Sequence, residues 1–120
     1  MKTQLPRLVE AYVRTINDHD PDAFIALFAN DALVEDIGRE FRGRAAIKAW
    51  SDREIFDVQV TLEVIDSADR DGETVITAKV DGTFDRTGLP DPLILVHHIA
   101  YKDDKIVRLQ CRLAGEAAST

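Results

Sequence analysis

The chain has 120 residues and a formal net charge of −7 at neutral pH, a length that suits one domain covering residues 1–120. Its 22 acidic residues outnumber the 15 basic ones, so it offers no basic face of the kind that binds nucleic acid or an anionic membrane. Cys111 is the single cysteine, which excludes an internal disulfide and favours a reducing compartment. No secretory apolar run or membrane-length segment is found in the sequence. We therefore expect a cytoplasmic protein with no nucleic-acid or membrane partner.

The first part of the chain predicts helices. Apolar residues recur at helical spacing from about residue 4 to 17, and the stripe that they form carries Tyr12. Asp20, directly before a proline, is typical of the start of a second, short helix. In "RAAIKAWSDREI" the apolar spacing predicts a third helix whose inner face includes Trp50.

The remaining segments predict strands. "ALVED" comes before the third helix, with a turn and a short strand in "IGREFRG". After that helix, two hairpins are expected to turn at Asp71-Gly72 and at Asp103-Asp104. Helices followed by strands in this order indicate an α+β domain with the helices on one face of an antiparallel sheet.

Strand alternation predicts which side chains point toward the helices. In the last strand the apolar face carries Val107, Leu109, Cys111 and Leu113, while Arg108, Gln110 and Arg112 form the outer face. In the preceding strand His97 shares the apolar face and His98 lies opposite. Because His97 and His98 point to opposite faces, they cannot share a metal ion, and no metal-binding motif is present. Neither a metal nor another cofactor is expected.

Two adjacent acids, Glu35 and Asp36, raise the question of which one faces the interior, since neighbouring strand residues point to opposite faces. We expect Asp36 to point inward with His97 and the Tyr12 hydroxyl. An acid, an imidazole and a phenol in an apolar pocket are typical of a proton-transfer site. An inward acid without a partner costs stability, which predicts that Asp36→Asn leaves the melting temperature unchanged or raises it.

Each of these residues also has a structural interpretation. Tyr12 could be a core tyrosine whose hydroxyl has a partner, and His97 could satisfy a neighbouring polar group. Asp36 could be a turn acid that bonds the backbone near Gly38.

Three segments, "AYVRTIND", "ALFANDALVEDIG" and "FRGRAAIKAW", together resemble the NTF2-like superfamily with its SnoaL-like proteins, and are most similar to bacterial ketosteroid isomerases. The resemblance covers nearly the whole chain. It implies a cone of three N-terminal helices packed on a curved antiparallel sheet that encloses a pocket. It also implies a homodimer through the outer sheet face, which here carries Val96, His98, Arg108, Gln110 and Arg112.

The resemblance assigns roles to the inward polar residues. It implies that Tyr12 donates a hydrogen bond to the substrate oxygen and that Asp36 shuttles the proton. His97 stands where those isomerases have a protonated aspartate, and Ser51 where they have a supporting tyrosine. Ligand contacts are expected from five apolar side chains: Trp50, Phe56, Phe84, Leu109 and Cys111.

Three functions are compatible with these residues. The first is a cofactor-free isomerase of an apolar carbonyl compound, with Asp36 as base and Tyr12 and His97 as oxyanion donors. The second is a SnoaL-like dehydratase or cyclase that uses Asp36 and His97 as an acid/base pair. The third is a non-catalytic module that binds a small apolar ligand or dimerises.

Overall fold

A computed structural model describes residues 5–85 and 87–114 of the chain. Within these residues there are three α-helices, one π-helical turn and six strands. The helices are α1 (Arg7–Asn17), α2 (Pro21–Ala26) and α3 (Arg44–Ser51), and the π-helical turn Asp52–Phe56 continues α3. The strands are β1 (Phe28–Asp36), β2 (Arg39–Arg42), β3 (Thr61–Arg70), β4 (Glu73–Asp81), β5 (Leu93–Lys102) and β6 (Lys105–Leu113). This is the α+β architecture that the sequence predicts.

The six strands form one curved sheet in the order β2-β1-β6-β5-β4-β3. Four of the neighbouring pairs are antiparallel, whereas β1 and β6 run parallel. The parallel pair joins the N-terminal hairpin β1–β2 to the C-terminal hairpin β5–β6. It therefore places the end of β1 beside the middle of β5 and β6, where Asp36 pairs in register with Cys111 and Cys111 with His97.

The helices begin and pack as their local sequences indicate. α1 buries a stripe that includes Val9, Tyr12 and Ile16. It begins at Arg7, whereas residue 4, the predicted start, lies outside the described residues. α2 begins after Asp20, whose Oδ1 accepts a hydrogen bond from the Ala23 N–H at 3.1 Å. In the described part of the chain, no helix has the length and apolar character needed to cross a membrane.

Both predicted hairpin turns are confirmed. Asp71 and Gly72 connect β3 to β4, and Asp103 and Asp104 connect β5 to β6. The two aspartates have φ of 55° and 64°, the left-handed backbone that a two-residue hairpin needs to follow the twist of its strands. Short acidic residues tolerate this conformation better than bulkier ones.

One predicted core position is wrong by a residue. The alternation placed Val107 in the apolar core, but Ile106 is fully buried and Val107 only partly. The cause is a register shift between Ala100 and Tyr101, which pairs Tyr101 with Ile106. A bulge of this kind adds one residue to a strand and reverses the alternation beyond it.

Candidate functional site

A cavity of about 350 Å³ lies between the helices and the concave face of the sheet. Its wall is mainly apolar and includes six of the predicted site residues: Tyr12, Asp36, Trp50, Phe84, His97 and Cys111. Elements far apart in sequence therefore bring the three candidate polar side chains to one cavity. A mainly apolar cavity with a few converging polar groups is the usual form of a small-molecule site.

Phe56 and Leu109, which the sequence analysis also assigned to ligand contact, are not part of the cavity wall. The Phe56 ring packs edge-on against Phe24, with 5.5 Å between ring centroids. Leu109 pairs in register with Val34 and Ile99 and is fully buried in the core. Strand alternation gives Leu109 and Cys111 the same face, but only Cys111 lies far enough along β6 to reach the cavity.

Tyr12 and His97 form a buried hydrogen-bonded pair. The Tyr12 hydroxyl lies 2.9 Å from Nδ1 of His97, and the Cys111 sulfur lies 3.6 Å from the same nitrogen. Burial, with the nearby His98 as a smaller cause, lowers the pKa of His97 to about 4. Burial also raises the pKa of both Tyr12 and Cys111. At neutral pH all three groups are therefore uncharged.

The uncharged imidazole limits what the pair can offer a ligand. A neutral histidine carries one N–H and one acceptor nitrogen. When Tyr12 donates to Nδ1, the proton of His97 is on Nε2; when Nδ1 donates to Tyr12, the hydroxyl proton is free. Nε2 is buried and has no hydrogen-bond partner among the described residues. In either arrangement the pair keeps one N–H or O–H hydrogen that is not used within the pair, rather than the two donors expected from the sequence.

Alternation along β1 separates the two adjacent acids as the sequence predicts. Glu35 lies on the outer face, where its Oε1 accepts a hydrogen bond from Nε of Arg108 at 2.9 Å. Asp36 lines the cavity, and its side chain is 13% exposed. The two acids therefore have different surroundings although they are neighbours in the chain.

The Asp36 carboxylate is held through one of its oxygens. Oδ2 accepts hydrogen bonds from Trp50 Nε1 at 3.0 Å and from Arg39 Nη2 at 2.7 Å. Oδ1 has no hydrogen-bond partner within the described residues. Asp36 is thus neither a turn acid bonded near Gly38 nor an acid without a partner.

Arg39 and Glu54 are parts of the site that sequence reasoning missed. The Arg39 guanidinium binds Asp36 and also donates to both Glu54 oxygens, at 2.7 and 2.6 Å. Arg39 could have been found, because a two-residue turn pairs it directly with Asp36 across β1 and β2. Glu54 gave no such signal, because its position depends on how the π-helical turn packs beside β2.

The donor set does not suit a metal ion. Among residues 5–85 and 87–114, no group of three or more histidine, cysteine or acidic side chains is arranged to hold one. The cavity therefore combines an apolar wall, a proton acceptor on Asp36 and one hydrogen-bond donor from the Tyr12–His97 pair.

The fold is that of NTF2-like proteins, as comparison with solved structures shows. A candidate polyketide cyclase from Sinorhizobium meliloti has a TM-score of 0.80 and 30% sequence identity, covering 90% of this chain and 95% of that one. A protein with a ketosteroid isomerase-like fold from Catenulispora acidiphila, in complex with trimethylamine, has a TM-score of 0.76 and 23% identity, covering 91% and 86%. A Mycobacterium tuberculosis protein in complex with estradiol-17β-hemisuccinate has a TM-score of 0.73 and 17% identity, covering 91% and 92%.

The family can be stated more specifically. Residues 9–109 match the model of the SnoaL-like domain, so the chain belongs to the SnoaL-like domain family. No curated protein sequence matches the chain. The resemblance that the sequence analysis drew to SnoaL-like and ketosteroid isomerase-like proteins is confirmed at the level of family and fold.

Proposed function

We propose that the protein is a cofactor-free cytoplasmic enzyme that binds an apolar carbonyl compound and catalyses its isomerisation by proton transfer. The observation that carries this proposal is the unbonded Oδ1 of Asp36 in the same apolar cavity as the Tyr12–His97 pair. A base and a hydrogen-bond donor facing one apolar ligand are the groups that enolisation requires.

The reaction proceeds in two proton transfers. The carbonyl oxygen of the substrate accepts a hydrogen bond from the Tyr12–His97 pair, and Asp36 Oδ1 removes a proton from the neighbouring carbon. The C–H electron pair becomes the enolate, whose negative oxygen is stabilised by the same donor. In a substrate with a double bond next to that carbon, the enolate extends over the double bond, and Asp36, now a carboxylic acid, returns the proton to its far carbon and regenerates the carboxylate. The product is an isomer, and no oxidant or reductant is needed.

The surface near the cavity supports an apolar ligand. Among the described residues, three large apolar side chains are exposed, and two of them, Ile37 and Leu89, belong to the cavity wall. The cavity volume of about 350 Å³ lies within the range of small-molecule sites in proteins, roughly 300–1,000 Å³. A structural neighbour in complex with a steroid derivative is consistent with a ligand of this chemical class. We propose terpenoid-, polyketide- or steroid-like carbonyl compounds as substrates.

The proposal is tested by hydrogen exchange in deuterium oxide with a bicyclic ketone, a decalone, which is apolar and small enough to enter the cavity. The protein should speed the incorporation of deuterium next to the carbonyl above the buffer-catalysed rate. Binding is followed separately by the fluorescence of Trp50, the single tryptophan, which lies in the cavity wall. Binding without exchange would show that the protein is a ligand-binding module and not an enzyme. A lack of both binding and exchange would contradict the proposed site.

A dehydratase or cyclase is the second candidate, favoured by the 30% identity to the candidate polyketide cyclase. An aldol-type ring closure also begins with removal of a proton next to a carbonyl, so Asp36 would be the base in both reactions. The low pKa of His97, about 4, leaves it uncharged and able to act as an acid only through its single N–H. The products distinguish the two, since an isomerase moves a double bond and a cyclase forms a carbon–carbon bond.

We also propose a homodimer through the outer face of β5 and β6. On this face Val96 and His98 of β5 pair in register with Arg112 and Gln110 of β6, and Arg112 Nη2 lies 3.1 Å from His98 Nε2. Light scattering at micromolar concentration should give twice the mass of one chain. A mass corresponding to a single chain would contradict the dimer without affecting the cavity chemistry.

A further inference from the structure

Asp36, Arg39 and Glu54 form a continuous row of charges on the cavity wall, which we call the acid–arginine–acid row. Nη2 of Arg39 lies 2.7 Å from Asp36 Oδ2 and 2.6 Å from Glu54 Oε1, and Nη1 lies 2.7 Å from Glu54 Oε2. The three residues come from the end of β1, the start of β2 and the π-helical turn. One guanidinium is therefore shared by two carboxylates, and only one of these, Asp36, has an oxygen without a hydrogen-bond partner among the described residues.

The carboxylate of Glu54 changes the effect that Arg39 has on the basicity of Asp36. A cation paired with Asp36 alone would favour the charged carboxylate and make it a weaker base. The negative charge of Glu54 offsets the effect of the Arg39 cation on Asp36. Glu54 also accepts two of the three hydrogen bonds that Arg39 donates. The hydrogen bond from Arg39 lowers the pKa of Glu54, and the hydrogen bond to Glu54 is the largest cause of the raised pKa of Arg39. Arg39 and Glu54 thus keep their charges at the pH where Asp36 reacts.

The acid–arginine–acid row also keeps Arg39 paired when Asp36 becomes neutral. When Asp36 takes a proton, Arg39 loses an ionic partner but keeps both hydrogen bonds to Glu54. The guanidinium therefore does not have to move or to remain unpaired at the cavity wall during the reaction. Trp50 Nε1 donates to the same oxygen of Asp36 as Arg39, which keeps Oδ1 as the reacting atom.

We propose that Arg39 and Glu54 are positioning residues that hold Asp36 with Oδ1 free and set its affinity for the substrate proton in opposite directions. Arg39 lowers this affinity and Glu54 restores it. The inference rests on the proposed function for its catalytic meaning, but its electrostatic content can be measured without substrate.

Other titratable groups also face Asp36 across the cavity. They are Tyr12 of α1, Arg53 of the π-helical turn, Asp85 after β4, His97 of β5 and Cys111 of β6. Burial raises the pKa of Tyr12 and Cys111, and a hydrogen bond from the Thr87 backbone lowers that of Asp85. His97, with a pKa of about 4, takes up a proton in acidic solution, as does the Asp85 carboxylate at lower pH. The experiment must therefore separate the Asp36 and His97 steps.

Trp50 provides the readout, because its indole N–H is bonded directly to Asp36 and it is the single tryptophan. Its fluorescence is recorded against pH for the wild type and for Asp36→Asn, and the step missing from the variant is assigned to Asp36. In Glu54→Gln this step should move to lower pH, and in Arg39→Gln to higher pH, each by about half to one pH unit. The acid limb of the pH profile of kcat/KM should move in the same two directions.

Asp52→Asn is the matched control. Asp52 lies in the same π-helical turn as Glu54 but pairs with Lys48, at 2.8 Å, so its removal should leave the Asp36 step in place. Circular dichroism checks that every variant is folded. Unchanged midpoints, or a shift in the same direction for Glu54→Gln and Arg39→Gln, would overturn the inference. If the wild type shows no deuterium exchange but the Asp36 step moves in opposite directions in the two variants, the proposed enzyme activity is overturned. The electrostatic effect of the acid–arginine–acid row would still be established.

Discussion

Asp36→Asn is expected to slow proton exchange by about 10³-fold, the usual size of a general-base contribution, with little effect on stability. The amide keeps the shape of the side chain, and its oxygen can still accept the hydrogen bond from Trp50. The lost ion pair joins Asp36 to a guanidinium that is half-exposed and retains Glu54. Such a pair contributes about 0–1 kcal/mol to the free energy of unfolding, so the melting temperature should fall by no more than a few degrees.

This expectation differs from the one that the sequence alone supports. The expectation that Asp36 has no partner predicted an unchanged or higher melting temperature for Asp36→Asn. The structure gives Asp36 two donors, Arg39 and Trp50, so a gain in stability is no longer expected. The difference arises because a pattern of alternation shows which face a side chain occupies and not what it meets there.

Glu35→Gln is the control for this prediction. Glu35 is the adjacent acid, it pairs with Arg108 on the outer face, and it does not line the cavity. Its substitution should leave the exchange rate unchanged. Calorimetric melts at pH 7 and exchange in deuterium oxide are measured for both variants. A large drop in melting temperature together with retained exchange in Asp36→Asn would make Asp36 a structural acid.

Acidification from pH 7 to pH 4 should cost the fold about 3 kcal/mol through His97 alone. In the unfolded chain this imidazole takes up a proton near its ordinary pKa of 6.5, but in the fold burial lowers that pKa to about 4. Between these two values the unfolded state binds more protons, so the free energy of unfolding falls as the pH falls. Above 6.5 both states are neutral, and below 4 both are charged, so the loss is confined to this window.

Urea unfolding at pH 7 and at pH 4.5 tests the prediction in the wild type and in His97→Asn. The asparagine oxygen can accept the Tyr12 hydrogen bond in place of Nδ1, and the side chain does not titrate. The variant should lose less stability on acidification than the wild type does. His98→Asn, on the outer face of the same strand, should behave nearly as the wild type. Equal losses for wild type and His97→Asn would show that His97 does not remain neutral in the fold.

Much of the fold could be predicted because its signals are local. The apolar stripe that contains Tyr12 requires only helical spacing, and the acidic pair at Asp103-Asp104 requires only the chemistry of a two-residue turn. Family resemblance supplied the arrangement of these elements. The exception in the core, Ile106 in place of Val107, comes from a register shift between β5 and β6, which no local pattern in the sequence of β6 shows.

Local sequence was enough to predict the faces on which the site residues lie: Asp36 opposite to Glu35, and His97 opposite to His98. Period-two alternation fixes these faces wherever a strand forms without a bulge. Except for the pairing of Asp36 with Arg39 across a tight turn, the partners of these residues follow only from the tertiary structure. Tyr12 and His97 are 85 residues apart in the chain, and Asp36 accepts a hydrogen bond from Trp50 of helix α3. Such contacts depend on how whole elements are placed relative to one another within about an ångström, and that placement is set by packing of the entire core rather than by any local pattern.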